Sequence, residues 1–332
     1  MNARRHIPAA ALTAVTALSL GALSACSSSS AAGGTDKFDV VASFYPMAFL
    51  AERIGGDHVS VTSLTEPGQE PHDLEISAKQ TVELQKSDAV LYLKGLQPAV
   101  DDAVAQSELK NKIDAATLTA LETHGSEVGG HDHAEDEHAE DEHAGEEHAE
   151  DDGHDHDTGG KDPHVWLDPV KYAEVAEGVG KAFEKADPDH AADYRKNTAA
   201  LVKDLDALNT RFEEGLADTK TRTFITTHAA FGYLAERYGL TEEAISGLDP
   251  ESEPSANRVK ELERMAKADG VSTVFYETLV SDRTAKTLAG DAGLETDVLD
   301  PVEGITDKSK GDDYIAVMDA NLAALKKALG AA

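Results

Sequence analysis

Residues 187–216 read DPDHAADYRKNTAALVKDLDALNTRFEEGL, and the arrangement of the rest of the chain follows from them. Apolar side chains recur here at spacings that place them on one face of an α-helix. These residues are Tyr194, Leu201, Leu205, Leu208 and Phe212. Asp187 and Pro188 form a favourable N-cap and first-turn pair. We therefore predict a single helix of about 30 residues, roughly 45 Å long.

On both sides of this helix, short apolar runs alternate with helical stretches, which is the pattern of a parallel α/β sheet. Before the helix, we predict strands at 38–44, 59–64 and 89–93 and helices at 47–54 and 77–86. After it, we predict strands at 223–226, 244–247, 271–276 and 297–299. The expected fold class is α/β, with two parallel-sheet lobes joined by one long rigid helix that permits only small hinge motion.

The first 25 residues are typical of an export signal. Arg4 and Arg5 precede an apolar stretch at 7–20 that is too short and too rich in Ala to predict a membrane span. Residues 23–26, Leu-Ser-Ala-Cys, resemble the lipobox of bacterial lipoproteins, in which Cys26 would carry lipid after cleavage. The following residues, up to 36, are rich in Ser, Ala and Gly, which predicts a flexible tether. We expect a protein anchored through lipid to the outer face of the cytoplasmic membrane.

The overall charge restricts the possible partners. The chain has 30 Lys and Arg residues against 63 Asp and Glu residues, a formal net charge of −33. Such a surface repels phosphate backbones, which argues against a nucleic-acid partner and favours cations. With only one cysteine, an intramolecular disulfide and a Cys-rich metal site are both excluded.

The segment 122–157 combines many acidic residues with eight of the fourteen histidines and contains no Lys or Arg. These histidines are His124, His131, His133, His138, His143, His148, His154 and His156. Because almost nothing in the segment is apolar, we predict a disordered loop over 122–161. Imidazole and carboxylate bind divalent metals, so the segment is also expected to offer auxiliary weak metal sites. A solvated acidic insert without a metal role is the alternative.

Four polar residues stand where a parallel sheet would place a ligand site. His72 follows the second predicted strand, and His164 lies where the chain leaves the acidic segment. His228 comes at the end of the run at 223–227, which contains the strand predicted at 223–226, and Glu303 follows the last strand. In open α/β sheets, ligands bind beyond the carboxyl ends of the strands. Three imidazoles and a carboxylate suit zinc, whereas manganese and calcium prefer more oxygen ligands.

The chain resembles the zinc-binding cluster A-I solute-binding proteins of ABC importers, the ZnuA-like lipoproteins, over almost its whole mature length. The matching motifs are SFYP at 43–46, PH at 71–72, PHVWLDP at 163–169, TH at 227–228, VFYE at 274–277 and LDPVE at 299–303. A His-rich acidic loop ahead of the second metal histidine is a further shared feature.

This resemblance implies an extracytoplasmic receptor that captures Zn²⁺ in the cleft between two lobes and delivers it to an ABC permease with its ATPase. It places the metal ligands on His72, His164, His228 and Glu303, with Glu277 as the rival for the carboxylate. We expect a monomer without enzymatic activity.

The sequence also predicts roles for four polar residues that are not proposed as metal ligands. Asp168 and Asp73 are candidate acceptors for the ligand imidazoles. His58 and His190 are expected to be surface residues.

Two other functions are weighed. A zinc hydrolase would need an open coordination position, and a three-His site with bound water would provide one if Glu303 did not coordinate. No His-Glu-x-x-His stretch or nucleophile elbow appears in the sequence. A metal buffer or adhesin would instead use the acidic loop and bind several weak ions per chain.

The expected organisation assigns 1–25 to the signal peptide and 26–36 to the tether. The N-terminal lobe then spans 37–186, the linking helix 187–219 and the C-terminal lobe 220–332.

Overall fold

The computed structural model of the chain describes residues 37–125 and 160–331. The signal peptide, the lipid site at Cys26, the tether and the loop histidines from His131 to His156 lie outside the described residues. Within the described ranges, no helix is both long enough and apolar enough to cross a membrane.

The first lobe holds a four-stranded parallel sheet in the order β2-β1-β3-β4. Its strands are β1 (Phe38–Ala42), β2 (Val59–Ser63), β3 (Ala89–Tyr92) and β4 (Asn111–Asp114). Its helices are α1 (Tyr45–Gly55), α2 (Ala78–Lys86) and α3 (Pro98–Gln106). The strand β4 was not predicted, because Ile113 is the only apolar residue in this edge strand.

Two helices, α4 (Pro169–Ala186) and α5 (Ala191–Leu216), follow the first lobe and pack along each other. The predicted apolar face of α5 is confirmed, since its five residues from Tyr194 to Phe212 are all fully buried. The predicted start of the helix is wrong, because 188–190 form a separate 3₁₀ turn. Asp187 does not cap α5, since its carboxylate accepts hydrogen bonds from the His190 ring and the Tyr194 hydroxyl.

The second lobe repeats the design with a parallel sheet in the order β6-β5-β7-β8. Its strands are β5 (Thr223–Thr226), β6 (Thr241–Ala244), β7 (Thr273–Tyr276) and β8 (Glu295–Val298). Its helices are α6 (Gly232–Tyr238), α7 (Ala256–Ala268), α8 (Arg283–Ala292) and α9 (Tyr314–Leu329). The strand predicted at 244–247 is displaced, because the paired residues Thr-Glu-Glu-Ala are mostly polar and escape an apolar pattern.

The two lobes share one hydrophobic core rather than meeting only through α5. The core joins side chains of α1, α4, α5 and α9. At its centre, the buried Trp166 packs against Phe44 of the first lobe with ring centroids 5.0 Å apart. Trp166 also donates a hydrogen bond to the Pro301 carbonyl of the second lobe at 2.7 Å. The predicted architecture of two α/β lobes with a long helix between them is confirmed, and the loops after the strands of both lobes meet beside Trp166.

Candidate metal centre

The four residues predicted as ligands are brought together by loops of both lobes. His72 lies in the loop after β2, and His164 directly precedes a 3₁₀ turn at Val165–Leu167. His228 lies two residues after the end of β5, and Glu303 lies in the loop after β8. We call these four residues the central cluster.

Glu303 stands at the middle of the central cluster. Its Oε1 atom lies 3.2 Å from His72 Nε2, 3.4 Å from His164 Nε2 and 3.7 Å from His228 Nε2. The Nε2 atoms of His164 and His228 are 3.4 Å apart. One ligand atom of each residue falls within 4.8 Å of all the others, and all four side chains are buried.

These separations fit a tetrahedral ion. Zinc bonds of about 2.0–2.1 Å to nitrogen and oxygen require ligand atoms roughly 3.3–3.4 Å apart. The four separations above, from 3.2 to 3.7 Å, lie close to that value, so an ion at the centre would need only small side-chain movements. The donor set of three nitrogens and one oxygen is one that zinc accepts readily.

Two buried carboxylates orient the imidazoles of the central cluster. His164 donates from Nδ1 to Asp162 at 2.7 Å, and His228 donates from Nδ1 to Glu277 at 2.7 Å. Each bond fixes the tautomer in which Nε2 faces the other ligands, an arrangement common around metal-bound histidine. Glu277, the rival for the metal carboxylate, therefore lies behind His228, on the side away from the ring nitrogen that faces Glu303.

The candidate acceptor Asp168 is wrong, whereas Asp73 as an acceptor stays a prediction. Asp168 caps α4 through the Val170 amide and forms a salt bridge with Arg237 at 2.6 Å. Asp73 is exposed and donates its backbone N–H to Glu70.

Asp162 was missed, although it lies two residues before His164. Such a carboxylate can be recognised only once the backbone turn at 162–164 is known.

Glu70 was also missed as a neighbour of the cluster. Its carboxylate accepts the backbone N–H of His72 at 3.1 Å, and its Oε1 lies 4.0 Å from His72 Nε2. Burial raises the pKa of the Glu70 carboxyl above its ordinary range, and the negative charge of Glu303 adds to this effect. Glu70 thus holds the loop that carries His72 from the solvent side.

The imidazoles and carboxylates of the central cluster shift one another's pKa. Burial favours the neutral Glu303 carboxyl, but the adjacent imidazoles of His164, His228 and His72 hold its pKa well below the usual range. Burial lowers the pKa of His164, yet Asp162 and Glu303 outweigh it and raise the value to about 9. For His228, Glu277 likewise outweighs burial and raises the pKa. Since imidazole binds metal only when neutral, an incoming ion must displace protons.

The loop that carries Glu303 contains an unusual backbone conformation. Val302 has a φ of 59°, in the left-handed region that β-branched residues rarely adopt. The buried Asp300 holds this turn by accepting the Val302 N–H at 2.9 Å and the Thr278 hydroxyl at 3.1 Å. Strain of this kind persists where the surroundings determine the backbone, and here it aims Glu303 at the histidines.

The His-rich segment begins later than predicted. Glu122 accepts the Asp162 N–H on its carbonyl at 2.9 Å, and His124 lies against Tyr233 with ring centroids 4.5 Å apart. Residues 122–125 are therefore part of the folded body, and their assignment to a disordered loop is wrong. Hydrogen bonds with Asp162, against the effect of burial, raise the pKa of His124 to about 9.

His58 and His190 lie away from the central cluster, as predicted. They stack on each other with ring centroids 4.0 Å apart, and both are partly exposed.

Comparison with known proteins agrees with this geometry. Residues 40–328 match the family model described as the zinc-uptake complex component A, periplasmic (ZnuA). The chain belongs to this family. It is 36% identical over 311 residues to the zinc-binding lipoprotein AdcA of Streptococcus pneumoniae, covering 92% of this chain. It is 33% identical over 317 residues to the high-affinity zinc uptake system protein ZnuA of Bacillus subtilis, covering 92% of this chain and 93% of that protein.

Among solved structures, the Zn(II)-bound ZnuA-like domain of Streptococcus pneumoniae AdcA is similar with a TM-score of 0.69 and 32% identity. The alignment covers 89% of this chain and 99% of that domain. Against full-length AdcA, however, the chain spans only 58% of the relative's length. The part of AdcA that this chain matches is its ZnuA-like domain.

Proposed function

We propose that this protein is an extracytoplasmic receptor that captures Zn²⁺ in the central cluster and delivers it to an ABC-type permease for high-affinity zinc uptake. The observation that carries the proposal is the meeting of three imidazoles and one carboxylate from both lobes around one buried point. The names of the relatives, a zinc-binding lipoprotein and a high-affinity zinc uptake protein, support the same ligand and role.

The proposed binding is capture without catalysis. A catalytic zinc site keeps one coordination position open for water or substrate. Here the carboxylate of Glu303 lies within 3.7 Å of the Nε2 atoms of all three imidazoles, which supports Glu303 as the fourth ligand of a tetrahedral site. A receptor for transport needs a closed site of this kind, because the ion has to be held until the permease is reached.

The metal ligands are tested by two matched substitutions. Glu303→Gln should lower zinc affinity at least about 100-fold, because it removes a coordinating charge. Glu277→Gln keeps an acceptor for His228 and should cost about tenfold, the range typical of groups that orient a ligand. Zinc competition with a chromogenic chelator measures both variants. A larger loss in Glu277→Gln, or a wild-type protein without one tight zinc per chain, would refute the assignment.

We further propose that the mature protein is a monomer held at the outer face of the cytoplasmic membrane by lipid on Cys26. The lipobox-like sequence at 23–26 supports the anchor. Cys26→Ala should release the protein from the membrane fraction, which immunoblotting of fractionated cells would show. Recovery of the unaltered chain in the soluble fraction with a free thiol would contradict the anchor.

A further inference from the structure

Helix α9 carries an amide side chain on its buried face. Asn321 is 2% exposed and lies on the same face as Val317, Met318 and Leu325, which are fully buried. Because these residues recur at helical spacing, packing alone would favour another apolar residue at 321. A buried amide costs free energy unless its donors and its acceptor are hydrogen-bonded. Asn321 therefore has a role other than filling space in the core.

The Asn321 amide binds both backbone groups of Asp300. The Asp300 N–H donates to Asn321 Oδ1 at 2.9 Å, and Asn321 Nδ2 donates to the Asp300 carbonyl at 2.7 Å. Asp300 lies beyond the end of β8 at Val298, where the sheet no longer supplies backbone partners. Two exchanged N–H···O bonds are the pattern of a hydrogen-bonded residue pair in an antiparallel sheet. The side chain of Asn321 thus supports the backbone past the end of the sheet.

The side chain of Asp300 carries this support into the loop of Glu303. Its Oδ1 accepts the Val302 N–H at 2.9 Å, and its Oδ2 accepts the Ser309 hydroxyl at 2.9 Å. Val302, with its φ of 59°, directly precedes Glu303. A β-branched residue keeps this conformation only where its surroundings hold it. Asp300 can hold Val302 only while its own backbone is fixed, and Asn321 fixes it.

Asp300 also reaches the carboxylate behind His228. Its Oδ2 accepts the Thr278 hydroxyl at 3.1 Å, and Thr278 directly follows Glu277. Glu277 in turn accepts from His228 Nδ1 at 2.7 Å. One buried carboxylate therefore ties together the two chain segments that carry Glu303 and Glu277.

A fixed Glu303 presents a single oxygen to the imidazoles. Its Oε1 is the atom that lies 3.2, 3.4 and 3.7 Å from the three Nε2 atoms. One oxygen added to three nitrogens completes a four-coordinate shell, which zinc accepts. A loop that is free to move would let Glu303 turn both oxygens to the ion, or would admit water. Such a shell suits ions of higher coordination number that prefer oxygen, such as manganese.

We propose that Asn321 is a positioning residue of the central cluster. Through Asp300, it holds Glu303 as a one-oxygen ligand and so increases the preference for zinc over manganese. The inference rests on the proposed function, in which Glu303 is a zinc ligand.

The test is the substitution Asn321→Leu in the mature chain. Leucine has a similar volume and suits the buried face of α9, but it removes both bonds to Asp300. Zinc affinity should fall about tenfold, as is typical of groups that orient metal ligands, and manganese affinity less than about twofold. Chelator competition with each ion measures both. Cobalt absorbs visible light strongly when four-coordinate and weakly when six-coordinate, so the absorption of the cobalt-loaded protein should fall by about half.

Two further variants separate positioning from general loss of structure. Asn197→Leu is the matched control, because Asn197 donates to the Ile54 carbonyl at 3.0 Å in the first lobe. It should leave both the zinc-to-manganese affinity ratio and the cobalt spectrum unchanged. Ser309→Ala removes only one bond to Asp300 and should lower the affinity ratio about twofold. If circular dichroism shows that Asn321→Leu does not fold, Ser309→Ala decides, and an unchanged ratio there overturns the inference.

The remaining outcomes distinguish this inference from the proposed function. An unchanged affinity ratio or an unchanged cobalt spectrum in folded Asn321→Leu would leave Asn321 a purely structural role. The same shifts in Asn197→Leu would likewise overturn the inference, because they would not depend on the Glu303 loop. An unaltered protein that binds no tight zinc counts against the proposed function itself.

Discussion

At the scale of single residues, His228 gives the central cluster its third nitrogen. Replacing it with glutamate would leave two nitrogens and two oxygens. This harder donor set has a smaller preference for zinc over manganese. The new carboxylate would also stand near Glu277, which now accepts from His228 Nδ1, and the two negative charges would repel. His228→Glu should therefore lower zinc affinity at least about 100-fold and manganese affinity less.

Competition titrations of both metals against a chromogenic chelator would measure these two affinities. The control is His190→Gln, because His190 lies outside the central cluster and bonds to Asp187. Zinc affinity equal to that of the unaltered protein would remove His228 from the metal ligands. An equal loss of affinity for both metals would show that repulsion between the new carboxylate and Glu277 has a larger effect than the replacement of a nitrogen ligand by oxygen.

The sequence predicts the four residues that meet in the central cluster but not the groups that hold them. His72, His228 and Glu303 could be predicted because each follows a strand, where parallel sheets collect ligand residues. Asp162 could not, since its role depends on a turn that lets one carboxylate face His164 and His124. His124 itself was misplaced because composition describes the segment as a whole, whereas order at 122–125 comes from contacts with Tyr233.

At the scale of secondary-structure elements, the central strands, the edge strand β2 and the long helix were predictable, whereas the edge strand β4 was missed and β6 was misplaced. β1 and β5 pair on both sides and are rich in buried apolar residues. β4, β6 and β8 lie at sheet edges with polar faces, so their apolar pattern is weak. The start of α5 escaped prediction because Asp187 bonds to His190 and Tyr194 rather than to a helix amide.

The start of helix α3 carries a carboxyl that makes folding pH-dependent. Asp101 accepts the Gly95 N–H at 2.8 Å through Oδ2, while its buried Oδ1 accepts no hydrogen bond from any described residue. Burial, assisted by the negative charge of Asp114, raises the pKa of Asp101 to about 6. The folded state therefore binds this proton more tightly than the unfolded state, whose pKa is about 3.9. The stability that this proton provides is full below about pH 4 and is lost as pH rises through 6.

Asp101→Asn should remove this loss of stability at high pH, because asparagine keeps an acceptor for the Gly95 N–H and carries no charge. At pH 7.5 we expect the free energy of unfolding to rise by about 1–2 kcal/mol, less than the full pKa difference implies because Asp101 is partly exposed. At pH 4 the gain should disappear. Urea unfolding at both pH values measures it, with the exposed Asp102→Asn as the control. An equal gain at pH 4 and pH 7.5 would show that ionisation of Asp101 is not the cause.

At the scale of the whole molecule, the shared core limits how far the lobes can move. The apolar residues of α1, α4, α5 and α9 form one continuous cluster, and interiors of this density resist sliding. Trp166 is bonded across the lobes to Pro301, and the Tyr314 hydroxyl donates to the Trp166 carbonyl. Opening the lobes by several ångströms would break these bonds and expose buried apolar surface, which costs about 25 cal/mol per Å².

Zinc should therefore enter and leave through movements of loops, with the lobes almost fixed. Spin labels on Val82→Cys in α2 and Arg264→Cys in α7 would report the distance between the lobes, in a Cys26→Ala background that removes the only native cysteine. Both labelled positions are exposed, so the labels leave the core intact. We expect the mean distance to change by less than about 2 Å when one equivalent of zinc is added, because a packed core moves little. A shift of 5 Å or more would mean that the lobes close around the ion, and release to a permease would then require the core itself to open.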